Sequence, residues 1–206
     1  MKTLYRARRA RQALAAAGLA SLATGLFGAE PVDVLAISHD YLSLPRSLVV
    51  IAPVPQPPKP EGKLEIADHL GSIMTEELLG EIRHELRGAS VVPADQAPAT
   101  SEGLVVEARF SKLVPGSKAL RKWVGYGAGT STLEVSGEIK ERATGRLVAR
   151  FTHARVSWCC GHASNDKEVR SNLVDIAKDI ALVVAGHFKS RQSHAWLEGE
   201  PTRQNS

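Results

Sequence analysis

Cys159 and Cys160, followed by Gly161 and His162, are the residues whose type and spacing point most directly to chemistry, and they are the only cysteines in the chain. Thiolate and imidazole suit a soft metal such as zinc or cuprous ion, with His153 as a further ligand. The sequence offers no second ligand pair at a familiar zinc spacing. Adjacent residues have Cα atoms about 3.8 Å apart, below the roughly 4.4–6.8 Å of a relaxed disulfide. A bridge between them is therefore strained and comparatively reducible. Three readings stand: structural thiols or a strained vicinal bridge, a disulfide to a second molecule, or a soft-metal site on Cys159, Cys160 and His162.

Gly125-Tyr126-Gly127-Ala128-Gly129 has the glycine density of a phosphate cradle. Such a cradle needs a helix N-terminus after it, so that free amides point at the anion. Here an alternating, strand-like stretch follows, and the glycines read as a bulge or close backbone approach at a sheet edge. Ser, His and Asp are plentiful, yet no nucleophile-elbow or metalloprotease motif occurs. No catalytic residue is assigned and no cofactor is expected. His187 falls on the apolar stripe of the last helical segment, where a buried structural imidazole is expected.

Charge excludes a simple nucleic-acid reading. The net charge is +4, but Lys2, Arg6, Arg8, Arg9 and Arg11 all precede the first acidic residue, Glu30. Without them 21 basic residues face 22 acidic ones, so the basic balance belongs to the N-terminus. From Arg109 to Arg155 basic residues outnumber Glu134, Glu138 and Glu141, which suggests either a positive sheet face or ordinary solvated strands.

The N-terminal segment has the three parts of a secretory signal: basic Met1–Gln12, apolar Ala13–Phe27, then small residues. Its apolar core of about fifteen residues is short for a membrane span of about twenty. Residues 1–29 are expected to be a signal peptide cleaved somewhere between 23 and 29. The product is then periplasmic or secreted, with no later membrane span.

The elements that must position these residues follow from periodicity. Residues 30–46 read as an N-terminal arm. Leu48–Ala52 is an unbroken apolar run typical of a strand buried on both faces. Pro53, Pro55, Pro57, Pro58 and Pro60 then stiffen the chain and cannot continue a ladder. Lys63–Arg87 carries an apolar stripe at three- and four-residue spacing, from Ile66 through Leu70, Met74, Leu78 and Ile82. Ser90–Pro93 suggests a short strand. Gly103–Val114, Leu133–Lys140 and Arg146–Trp158 alternate as strands, the last two joined by a turn at Ala143-Thr144-Gly145. Asp166–Phe188 is the second amphipathic helix, and residues 190–206 read as a flexible tail. Together these predict one α+β domain over 47–189: a mainly antiparallel sheet of four to five strands with two helices packed on one face.

The stretch GSKALRKWVGYGAG at Gly116–Gly129, with the hairpin through Phe151 that follows it, resembles the bacterial envelope family DUF4410. The matching positions are Ala119, Leu120, Arg121, Gly125, Tyr126, Gly127, Ala128, Gly129, Thr144 and Gly145. The resemblance implies an exported domain without a common catalytic activity. Its members are often lipoproteins, and this chain lacks the lipid-anchor cysteine. The expected function is a soluble, non-catalytic envelope accessory or interaction domain whose partner is another envelope protein and not nucleic acid. The expected contact surface is Leu120, Arg121, Trp123, Gly125, Tyr126, Gly127 and Gly129. The alternative is a thiol/disulfide or soft-metal protein using Cys159 and Cys160.

Overall fold

The computed structural model describes residues 32–60, 64–99, 102–117, 119–120, 129–157, 164–187 and 195–196. The expected signal peptide, 1–29, lies outside them. Among the described residues the strands and long helices follow in chain order: β1 (Asp33–Ile37), β2 (Leu48–Ile51), α1 (Leu70–Glu85), β3 (Ser90–Pro93), β4 (Leu104–Val114), β5 (Ser131–Glu141), β6 (Leu147–Ser157), α2 (Asn165–Ala185) and the two-residue β7 (Ala195–Trp196).

The α+β class holds, but the sheet is larger than expected and mixed. Its order is β3-β2-β4-β5-β6-β1-β7. β4, β5, β6 and β1 pair antiparallel, whereas β2 runs parallel to both β3 and β4, and β7 runs parallel to β1. The parallel part follows from connectivity. With α1 inserted between β2 and β3, the chain crosses over and returns in its original direction. Two segments read as peripheral also enter the sheet. The arm contributes β1, which meets β6 with an irregularity between Val34 and Ala36, and the tail contributes β7.

Alternation along the strands puts Leu104, Val106, Leu133, Val135, Ile139, Ala149 and Phe151 on one buried face. The two helices pack side by side against it, α1 through Leu70, Met74, Leu78 and Ile82, and α2 through Leu173, Ile176, Ile180 and Val184. Gly137 opens a gap on this face, and the ring of its cross-strand neighbour Phe151 lies over it. A methyl group at 137 would overlap both that ring and the Glu107 carbonyl. Gly145 has φ +69° in the β5–β6 turn, as its position between the two strands predicts.

Helix α1 is shorter than its apolar stripe, because the proline-rich segment fixes its start. Gln56 Oε1 accepts the Gly71 N–H at 3.0 Å, and Gln56 Nε2 donates to the Asp68 carbonyl at 3.0 Å. Helix α2 begins on Ser164, whose hydroxyl accepts the Lys167 N–H, and ends at Gly186 in the left-handed conformation. His187 consequently falls past the helix end and is exposed, contrary to its expected place on the buried stripe.

β1 and β2 are consecutive in the chain yet stand on opposite sides of β4, β5 and β6. The linker between them is pinned halfway. Tyr41 is fully buried, and its hydroxyl donates to the Val183 carbonyl at 2.8 Å. The Arg46 guanidinium lies 4.8 Å from the Tyr41 ring centre, and its Nε donates to the Val184 carbonyl at 2.9 Å. Both groups thus satisfy carbonyls at the negative end of α2.

Tyr41→Phe removes a buried donor and is expected to cost about 1–2 kcal/mol, read as a lower urea midpoint at unchanged slope. Burial pushes the Tyr41 phenol up to about 12, against the opposing charge of Arg46. The native state therefore holds this proton more tightly than the unfolded chain. That contribution is intact below about pH 10 and is lost as pH rises through about 12. In Tyr41→Phe the alkaline fall in stability should be shallower.

Candidate functional site

The β4–β5 hairpin carries the glycine-rich segment at its tip. The Ser117 N–H donates to the Gly129 carbonyl at 2.9 Å, and the Leu120 N–H donates to Ser117 Oγ at 3.3 Å. Gly129 has φ +74°, which suits a residue that turns the chain back into β5. The segment therefore leaves and rejoins the hairpin at one point. Of the expected contact residues, Leu120 and Gly129 are described. Arg121, Trp123, Gly125, Tyr126 and Gly127 lie outside the described residues, as do Cys159, Cys160 and His162.

Leu120 is 49% exposed, and two further apolar side chains are exposed at the same end: Val114 at 42% and Val156 at 48%. Val114 pairs with Thr132, and Thr132 with Val156, so the three form one row across β4, β5 and β6. Strict alternation from Leu104 would turn Val114 toward the core. The register shift between Phe110 and Lys112 instead sends Leu113 inward and Val114 outward. Sequence periodicity misses Val114 for this reason; nothing short of the bulge reveals it.

Part of the basic charge on the sheet is paired with acids close by. Lys140 Nζ reaches Glu107 at 2.6 Å and Glu138 at 3.4 Å, Arg150 reaches Glu138 at 2.9 Å, and Arg146 reaches Asp40 at 2.6 Å. The hydrogen bond and charge of Arg146 hold the Asp40 carboxyl down at about 2. These pairs are largely exposed and contribute little stability individually, but they offset the charge of Lys140, Arg146 and Arg150 locally. Arg109 differs: among the described residues its Nε meets the Ser136 hydroxyl, at 3.4 Å.

A second polar cluster lies on the inner face, between β6 and α2. The His153 side chain is 1% exposed, and its Nε2–H donates to Asp179 Oδ2 at 2.9 Å. Arg155 Nη2 donates to the same oxygen. Burial pushes the Asp179 carboxyl up, but the hydrogen bonds and charges of His153 and Arg155 outweigh it and hold it below the ordinary range. About two turns earlier on α2, Asn172 Nδ2 donates to Ser157 Oγ at 2.9 Å. The His–Asp pair has the form of a general base with its orienting acid. However, His153 Nδ1 is buried with no hydrogen-bond partner among the described residues, so no hydroxyl completes a nucleophilic triad. What these groups do is hold α2 to β6 in register. The same geometry occupies the one histidine named as a distant metal ligand. Among the described residues no group of three or more His, Cys, Asp or Glu is placed to hold a metal ion. No helix among them is long and apolar enough to cross a membrane.

The chain belongs to DUF4410, described as a domain of unknown function, whose family model matches residues 37–161. No curated protein matches the chain. Among solved structures it is similar to the PelC dodecamer from Paraburkholderia phytofirmans, at 14% identity over 65% of this chain and 88% of that one, with a TM-score of 0.45. Protein XCC0632 from Xanthomonas campestris shows 12% identity over 76% and 94%, TM-score 0.42. A minor lipoprotein from Acinetobacter baumannii shows 13% identity over 68% and 94%, TM-score 0.39. Likeness at this level carries no argument about function.

Asp179→Ala leaves the buried His153 and Arg155 without their acceptor and is expected to cost about 3–5 kcal/mol, more than removing either donor. Chemical unfolding of the three single variants at pH 7 checks that order. Because the Asp179 carboxyl is lowered in the fold, its share of stability is present above the unfolded carboxyl pKa of about 4. It is lost as pH falls through the native value, so wild type and Asp179→Ala should converge in acid.

Proposed function

We infer that this chain is an exported, non-catalytic envelope interaction domain that docks another envelope protein through the tip of the β4–β5 hairpin. The observation that carries this reading is the apolar row of Val114 and Val156 with exposed Leu120, gathered where the family's glycine-rich segment emerges. Exposed apolar side chains are unremarkable singly; a group at one end marks a contact surface. Arg121, Trp123, Gly125, Tyr126 and Gly127 extend this surface by chain continuity between Leu120 and Gly129. Trp and Tyr add large contact area at low entropic cost, as interface anchors do. The basic and apolar halves of residues 1–29 support export, and the mature protein is then periplasmic or secreted.

A photo-reactive amino acid placed at Val114, Leu120 or Val156 in cells is expected to give a covalent adduct with one envelope protein. The same probe at Glu76 or His84, exposed on α1, should give none. Equal adducts at all five positions, or none at the hairpin, would overturn the contact surface. The mature N-terminus, read by intact mass, is expected between Thr24 and Glu30; a full-length cytosolic product would overturn export.

A further inference from the structure

The two sides of the sheet treat their free backbone groups differently. Along a strand the N–H and C=O of one residue turn to the same neighbour, and the next residue turns the other way. The Ser90 N–H donates to the Ser47 carbonyl at 2.8 Å, so Ser90 and Val92 serve β2. Val91 and Pro93 therefore face outward from β3, which ends the strand order on that side. Both positions are blunted. Arg83, on α1, donates through Nε and Nη2 to the Val91 carbonyl at 3.0 and 2.9 Å, and Pro93 has no N–H to offer. This edge is closed to strand addition.

The other side is open at one place. The Glu141 N–H donates to the Arg146 carbonyl at 2.9 Å, so Glu141 turns to β6, and alternation turns Ser131, Leu133 and Val135 the same way. Their partners Ser157, Arg155 and His153 turn back to β5. Thr152, Ala154 and Val156 consequently face the side on which β1 lies. β1 reaches only as far as Thr152, opposite Asp33. Among the described residues no strand stands beside Ala154 and Val156. Their N–H and C=O groups are thus presented at strand spacing, next to the exposed side chain of Val156. The chain's own upstream continuation is ill suited to finish this ladder, because Pro31, two residues before β1, has no N–H.

Backbone groups in this array select their own ligand: another extended backbone with N–H and C=O in the same repeat. We propose that the envelope partner adds a strand to β6 along Ala154–Val156, beside the hairpin tip. This rests on the contact surface inferred above and names the form of the partner, an extended segment with apolar residues at alternate positions. The residue opposite Val156 continues the outer row of Val114, Thr132 and Val156 into the added strand. Main-chain bonds supply affinity, and the apolar row selects among extended segments.

The test uses the full chain in cells, with the photo-reactive amino acid at Leu120, with and without Ala154→Pro. Proline there removes an N–H that bonds nothing in β5, so folding is retained, which circular dichroism and the urea midpoint check. The adduct with the envelope protein is expected to fall about tenfold or more. A second readout needs no variant. In purified wild-type protein, amide exchange followed by NMR is expected to be fast at Ala154 and Val156 and slow at His153 and Arg155, which face β5. Protection of Ala154 and Val156 in the isolated chain would show the edge already filled and overturn the proposal. So would an adduct as strong in Ala154→Pro as in wild type, which leaves the hairpin surface standing, or an adduct at the mass of two chains. No adduct at Leu120 in wild type would instead overturn the contact surface itself, and strand addition with it.

Discussion

The constraint on which this fold depends is the crossing of its N-terminal linker. β1 and β2 follow one another in the chain but flank the three long strands, so residues 38–47 must pass across the end of the sheet. Hydrophobic burial alone would leave that passage loosely placed. The Tyr41 hydroxyl and the Arg46 guanidinium place it by bonding the last carbonyls of α2, groups that a helix leaves unsatisfied. One contact thus joins the sheet's two flanks to the helix that covers its centre. Both partners gain: the linker becomes ordered and the helix end is capped.

With the linker in place, the two faces of the sheet diverge in character. The inner face is closed by α1 and α2, and there His153 and Arg155 both donate to one carboxylate oxygen of Asp179, which ties α2 to β6. Among the described residues neither long helix covers the outer face. On it Lys140 and Arg150 form cross-strand pairs with Glu107 and Glu138. Among the described residues two local features stand out: an apolar row at the hairpin tip, and a cleft on the outer face lined by Leu35, Pro53, Pro55 and Arg109. Both arise from irregularities, the bulge in β4 and the departure of the proline segment from the sheet.

Much of the architecture is legible in the chain itself. Periodicity locates both helices and the three long strands, because burial of one face imposes a repeat of 3.6 or 2 on the order of apolar residues. The Gly116–Gly129 motif assigns the family. Ser164 and Gly186 delimit α2 by local backbone chemistry, although the stripe by itself carries the helix on to His187. The proline run is correctly the end of β2, since proline offers no donor to a ladder.

Other features have no local signature, and tertiary structure decided them. β1 and β7 are too short and too mixed in composition to declare themselves; they are strands only because β6 and then β1 offer a free edge. Parallel pairing of β2 with both neighbours depends on how the crossovers run, which side-chain alternation does not encode. The exposure of Val114 depends on a bulge that reverses the alternation after Phe110. The meeting of His153 with Asp179, 26 residues away, depends on α2 packing over β6 at one register. Sequence determined which faces must be buried, because hydrophobicity is a property of each residue; which residues meet across those faces was set only when strands and helices packed.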